Sequence, residues 1–477
     1  MRETFKSRFP SLLLTLILLA TPQFTCRAEA RDIYVRLAES TKISITSDAP
    51  MTLIDAAKKT HKLGKSATLT RAGAFAALGK SRVSLPAEVS ARKLLGFNGR
   101  SYRGRFLITK AFLLINVLDV EDYVRGVLPA EASPAWPKEY LKVQAIISRT
   151  FGLRESLNRP SRGYDVTDNT SAQVYRGAGV ETPTTDQAVK ETEDQVLTYE
   201  DTLAFTPFHS DSGGHTAANV HVWTQNIPYL TGVREPVAYQ SPNSSWSAKI
   251  PAVHVQAALS RIGGEGVGRL REVRVTAVDA GGRATDLTFL GSGGSFSAKS
   301  SIFRTAIGPN LLKSTMLTES GLLAMLTEDE DSLWMSEPQV SLLTLPPLSD
   351  SFMSGSEEAH LIQMTSEGAF TSAELMDMLL NPEKRKDYLY ARLGRSARSA
   401  PKKPEPSAKP LPEAPPHLSK TEVVISDKNG YFTFHGRGWG HGVGLSQWGA
   451  QALAKEGWTA RRILEHYYPG TAIKRFK

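Results

Sequence analysis

The stretch Val120–Leu157, "VEDYVRGVLPAEASPAWPKEYLKVQAIISRTFGLRESL", decides the fold class. Its second half has helical spacing: Tyr140, Gln144, Ile147 and Phe151 fall along one face, with Leu141, Ala145 and Ser148 beside them. Pro137 suits the first turn of that helix, where a missing N–H costs nothing. What precedes the block is different. From Asp32 to about Ala111 apolar and polar residues alternate, as in "DIYVRLAES" and "GRFLITKAFLLINV", with turn residues between the runs. That is the pattern of β-hairpins. Strands in series followed by helices predict an α+β fold, a mixed β-rich domain carrying a helical element.

Beyond the helices, mixed loops and short strands run to about Thr318. The composition then shifts. Residues 319–380 hold twelve acidic side chains and no Lys or Arg, and residues 381–420 hold ten basic against four acidic. Seven of the sixteen residues from Pro401 to Pro416 are proline, which gives an extended linker. We expect a first part of the domain over 31–318, an acidic-then-basic, partly disordered insertion over 319–400, a proline-rich linker over 401–420 and a last part over 421–477. Order returns at "TEVVISDKNGYFTFHGRGWGHG", where "KNGY" reads as a tight hairpin turn.

The N-terminus points to export. Arg2, Lys6 and Arg8 precede the apolar run Ser11–Ala20, and "AEA" ends at Ala30. This is the layout of a secretory signal peptide over 1–30, with an uncleaved membrane anchor as the alternative. Cleavage there removes the one cysteine, Cys26, which leaves no disulfide and no thiolate metal site. The chain has 57 basic and 48 acidic residues, a charge of +9. Losing residues 1–30 takes away four basic and two acidic groups and leaves +7. For an exported chain that excess suits cell-wall glycans or membrane surfaces rather than nucleic acid, or serves solubility alone.

Four clusters carry the side chains of chemistry: "LPAEASPAWPKE", "YDVTDNTSAQVYRG", "FHSDSGGHT" and "GRGWGHGVGLSQWG". In the last, glycines recur at every second position from Gly436 to Gly444. A phosphate-binding loop is excluded, because neither GxxxxGK[ST] nor GxGxxG fits. A strand with one bare face does fit, since side chains alternate at period two. It would project Arg437, Trp439 and His441 together, a set suited to an anionic sugar. Ser210, Ser212 and Ser446 lack the G-x-S-x-G elbow of a serine hydrolase. His209, His215 and His221 lack H-E-x-x-H, and no metal is expected. Gly213 and Gly214 read as a polar turn lining a cleft. Glu131 sits among Pro and Ala residues with few donors, surroundings that raise a carboxyl pKa toward general-acid use. A merely solvated glutamate at a helix end is the alternative.

In order, "VEDYVRGVLPAEASPAWPKEYLKVQAIISRTF", "YDVTDNTSAQVY", "VLTYEDTLAFTPFHSDSGGHT", "VWTQNIPYLTGV" and "GRGWGHGVGLSQWGAQALAKEGWTARRILEHYYPGT" resemble the SpoIID/LytB family of bacterial cell-wall proteins. The resemblance implies a peptidoglycan lytic transglycosylase acting on glycan strands stripped of stem peptides, in the periplasm or cell-wall space. Its catalytic glutamate corresponds to Glu131, on the helical catalytic element. The glycan would be held by Gln173, Tyr175, His209, Ser210, Ser212, Gly213, Gly214, Arg437, Trp439, His441 and Gln447. Some relatives bind zinc through His and Cys just before "QVY". Ser171 and Ala172 stand there in this chain, so no metal or other cofactor is expected. Asp165, Asp168 and Asp211 remain candidates for a second carboxyl, which would permit hydrolysis. The rival reading is a non-catalytic amidase enhancer or wall-binding protein, with a cell-wall amidase as partner.

Overall fold

The computed structural model describes residues 31–157, 159–169, 172–223, 225–318 and 423–476. The expected signal peptide, insertion and linker lie outside the described residues. So does Ser171.

The alternating run folds as twelve strands between Asp32 and Asp119. Seven strands form one sheet, in the order Val166–Thr167, Asp32–Glu39, Leu113–Asp119, Arg105–Ile108, Ala87–Ala91, Met51–Ile54 and Thr60–Leu63. Six form another, from Arg100–Tyr102 through Lys42–Ser47 to Ser81–Ser84. Pairing is antiparallel except where Val166–Thr167 joins Asp32–Glu39. Lys42–Ser47 shows the reason for the alternation: every second residue, including Ile43 and Ile45, is buried.

Helix α1 (Val120–Glu131) starts at Asp119, whose carboxylate accepts from the Glu121 N–H at 2.8 Å. Pro129 lies inside its last turn, where it removes the i→i−4 bond to the Arg125 carbonyl, and Pro134 follows its end. Helix α2 (Lys138–Ser156) begins one residue later than the sequence suggested, with Pro137 as its cap. The predicted face is buried, apart from a partly covered Phe151. The two helices are clamped by a two-pronged ion pair: Arg149 donates to Glu121 at 2.8 and 2.6 Å, with its guanidinium wholly enclosed. Helices α3 (Arg159–Arg162) and α4 (Pro183–Glu191) follow.

The region read as mixed loops and short strands assembles around a hydrophobic core of its own. Trp246, Val255, Leu259, Val273, Leu287, Phe289, Phe303, Phe432 and Phe434 build it. They come from a four-stranded sheet (Gly294–Lys299, Ala284–Gly291, Leu270–Val278, Val424–Ser426), from the pair Trp246–Pro251 with Tyr431–Gly436, and from α5 (Ala252–Arg261) and α6 (Ser300–Ile307). The "KNGY" turn joins the last two strands of this lobe. Asn429 and Gly430 both have positive φ, 53° and 83°, and Lys428 bridges Tyr431.

The chain then returns to the first lobe through α7 (Gln447–Lys455), α8 (Ala460–Tyr467) and a strand, Ala472–Arg475, that pairs with Gln195–Tyr199. No described helix is long and apolar enough to cross a membrane.

The bare-faced strand is a misreading. The strand ends at Gly436, and Gly438, Gly440, Gly442 and Gly444 then take φ values of 75°, 130°, 87° and 71°. Such values coil the chain, so the period-two glycines mark a winding loop and not a pleat.

Candidate active site

Glu131 is the last residue of α1. Its Oε1 accepts from the Val174 N–H at 2.7 Å. Burial raises its pKa, opposed by that hydrogen bond and by the nearby Arg176 charge. The segment that delivers Val174 is fixed along α1: the Arg176 N–H donates to the Gly126 carbonyl at 3.0 Å. Gln447, opening α7, donates from Nε2 to the Glu131 backbone carbonyl at 3.1 Å. The Trp136 ring meets Tyr140 and Trp448 at centroid distances of 4.9 and 5.2 Å, tying the proline-rich turn to the C-terminal motif.

The first and last clusters of the sequence therefore meet at Glu131. The other candidates fall into three groups. Gln173 and Tyr175 belong to the core beneath: the Tyr123 hydroxyl donates to Gln173 Oε1 at 3.0 Å, and the Tyr175 hydroxyl to Asn116 Oδ1 at 2.8 Å. His209 and His441 lie side by side, ring centroids 5.4 Å apart, with Trp223 tilted against His441 at 5.0 Å. Each is engaged with a backbone carbonyl, His209 with Val443 and His441 with Phe208. Burial pushes the His441 pKa down to about 4 and holds that of His209 well below the ordinary histidine range, so both imidazoles are neutral. Ser210 meets α7, its carbonyl accepting from the Trp448 N–H at 3.0 Å. The third group, Gly213, Gly214 and Arg437, lines a cleft of about 630 Å³ where the two lobes meet.

One group in the wall of that cleft was missed by the sequence reading. Glu235 is buried, accepting from Ser212 Oγ at 2.9 Å and the Tyr467 hydroxyl at 2.6 Å. Burial pushes its pKa up to about 7 against those hydrogen bonds. A side chain at position 449 would overlap this carboxyl, which explains the glycine in "QWGA". Its partners lie far away in the chain, and "VREPVAY" carries only a weak hint, an acid set in an apolar run.

Of the three aspartates considered as second carboxyls, two are engaged by hydrogen bonds, Asp165 and Asp211, while burial raises the pKa of Asp168. Asp165 is buried against Arg159 at 2.8 Å and the Tyr34 N–H at 2.9 Å. Asp168 lies 3.6 Å from Arg100. Asp211 accepts from the Tyr239 hydroxyl at 2.9 Å, the Gly213 N–H at 2.8 Å and Ser241.

The family model described as "Stage II sporulation protein", SpoIID, matches residues 109–199, which contain Glu131, Gln173 and Tyr175. The chain carries a SpoIID domain. Stage II sporulation protein D of Bacillus subtilis is 32% identical over 155 residues, 29% of this chain and 45% of that protein. The amidase enhancer of the same organism is 23% identical over 357 residues, 73% of this chain and 40% of that relative. An uncharacterised protein of Brachyspira hyodysenteriae is 36% identical over 140 residues, 28% of this chain and 38% of its own length. The matches thus span less than half of each relative. The SpoIID match ends before the second lobe begins.

Proposed function

We propose that this protein is an exported peptidoglycan lytic transglycosylase with Glu131 as its single acid/base. The carboxyl protonates the glycosidic oxygen as the bond to the anomeric carbon breaks. The carboxylate then takes the proton of the same sugar's 6-hydroxyl, whose oxygen bonds to that carbon. Carboxyl, proton count and oxidation state are all restored, no water is consumed, and the product is a 1,6-anhydro-muramic end. The observation that carries this reading is the state of Glu131. Burial favours its neutral acid, one N–H orients it, and α7 braces the helix end that bears it. The engagement of Asp165 and Asp211 elsewhere favours a one-carboxyl route over hydrolysis.

The test is to incubate the purified chain with peptide-stripped glycan and analyse the products by mass spectrometry. Anhydro-muramic ends from the parent chain and none from Glu131→Gln are expected. Hydrolytic reducing ends, abolished by Asp168→Asn or Asp211→Asn, would sink the mechanism in favour of a two-carboxyl hydrolase. A second reading, enhancement of a cell-wall amidase without turnover, is favoured by the extent of the match to the amidase enhancer. It predicts that Glu131→Gln still stimulates the amidase.

A further inference from the structure

A buried carboxyl with no cation to balance it is costly to keep, and Glu235 is one. Among the described residues no Lys or Arg pairs with it, and hydroxyls surround it instead. Ser212 Oγ donates to its Oε1 at 2.9 Å, and the Tyr467 hydroxyl, from α8, donates to its Oε2 at 2.6 Å. The other groups that face it are Ser446, the Tyr239 hydroxyl and the Asp211 carboxyl, the last on a segment bridged to Trp439.

These contacts lead to one turn of helix. Ser446 caps α7, its Oγ accepting from the Gly449 N–H and from the Ser212 N–H, each at 3.2 Å. With both acceptor positions filled, its own proton is left for Glu235 or for Tyr239, whose hydroxyl lies 3.4 Å away. Glu235 also stands against the turn itself, in the space that a Cβ at position 449 would need. A carboxylate beside a helix N-terminus is favoured by the helix dipole. Residues 446 and 449 thus rest on this carboxyl, and the two residues between them face the catalytic turn. Gln447 donates to the Glu131 carbonyl at 3.1 Å, and the Trp448 ring meets Trp136 at 5.2 Å.

We propose that Glu235 is a positioning residue for Glu131, acting through the first turn of α7 to place Gln447. The assignment rests on the reading of Glu131 as the acid/base and adds a residue from beyond the SpoIID match, which ends at residue 199. Loss of the carboxyl frees the cap, loosens Gln447 and lets the end of α1 fray. The reacting group then spends less time in register. The water that enters also lowers its pKa.

The experiment is a double-mutant cycle on the full chain: the parent, Glu235→Gln, Gln447→Ala and the two together. Release of anhydro ends from peptide-stripped glycan is followed over substrate concentration and pH. Glu235→Gln should lower kcat roughly ten- to hundredfold with KM little changed, and should move the descending pH limb toward the ordinary carboxylate range. Gln447→Ala should do the same, and the double variant should be no slower than Gln447→Ala alone. Multiplied losses in the double variant would mean that Glu235 does not act through Gln447. An unchanged kcat and limb in a folded Glu235→Gln would leave Glu235 as packing. Either result overturns the proposal. An inactive parent, or a Glu131→Gln chain as active as the parent, overturns the reading of Glu131 and the positioning role with it. Should Glu235→Gln fail to fold, Tyr467→Phe, which takes one hydroxyl from the carboxyl and keeps the ring, replaces it in the cycle. In the parent itself, the Gln447 side-chain amide should follow the titration of Glu235 at a pH of about 7 in NMR spectra. An amide indifferent to that titration overturns the link between the two residues whatever the variants do.

Discussion

A carboxyl that must give a proton and later recover it works best when its acid form survives toward neutral pH. Burial does this for Glu131, so cleavage should fall as pH rises through its raised pKa, with the descending limb above the ordinary carboxylate range. Initial rates across pH check this. A limb in the ordinary range would mean that the burial does not govern the reacting form. Glu131→Gln keeps the size of the side chain but cannot cycle a proton, and should lose roughly 10²–10⁴-fold or more in rate. Glu235 makes a separate pH signature. Its folded pKa of about 7 exceeds the unfolded reference of 4.5, so its stabilisation is complete below the unfolded value and lost as pH rises through the folded one. The loss is on the order of 3 kcal/mol at most. Urea unfolding should show the wild type less stable at mildly alkaline than at acid pH, with that difference reduced in Glu235→Gln. The two acids differed in legibility for a physical reason. The apolar, proline-framed setting of Glu131 is local and could be read from neighbouring residues. The setting of Glu235 depends on Tyr467, 232 positions away.

Among elements, α2 and the Asn429–Gly430 turn were visible in sequence because helical phase and turn chemistry are short-range properties. The glycine stretch misled because a period of two is shared by a pleated strand and by a loop that enters positive φ at every second residue. The loop has its own test at Gly440. That residue has φ of 130°, and a Cβ there would stand 2.5 Å from His209 Cβ. Gly440→Val should be strained and crowded at once, lowering the thermal midpoint by several degrees, as a loss of about 1–3 kcal/mol would. It should also shift the ring resonances of His209 and His441 in NMR spectra. Full stability would mean that the loop is soft and does not hold these rings.

For the whole molecule, the first lobe was legible as an α+β domain, whereas the second core was not. Its pairings unite Trp246–Pro251 with Tyr431–Gly436 across a long stretch of chain. Thr318 and Val423 both end in this lobe, the Thr318 N–H donating to the His435 carbonyl at 3.0 Å and the Val423 carbonyl accepting from Val275 at 3.1 Å. Replacing residues 319–420 with a short flexible linker should therefore leave one soluble, active protein, since loop length costs little. Loss of cooperative unfolding in that protein would show that the segment supports the core. The pairing of Gln195–Tyr199 with Ala472–Arg475 also sets a timetable. Thr198 and Ala472, which face each other, are 274 positions apart. A chain emerging N-terminus first must keep that strand edge waiting until almost all of its length is out, and such distant contacts form late. Gln447, which braces Glu131, arrives in the same final instalment. On the proposed mechanism, a nascent chain therefore has Glu131 in place but unbraced until residue 447 has been made.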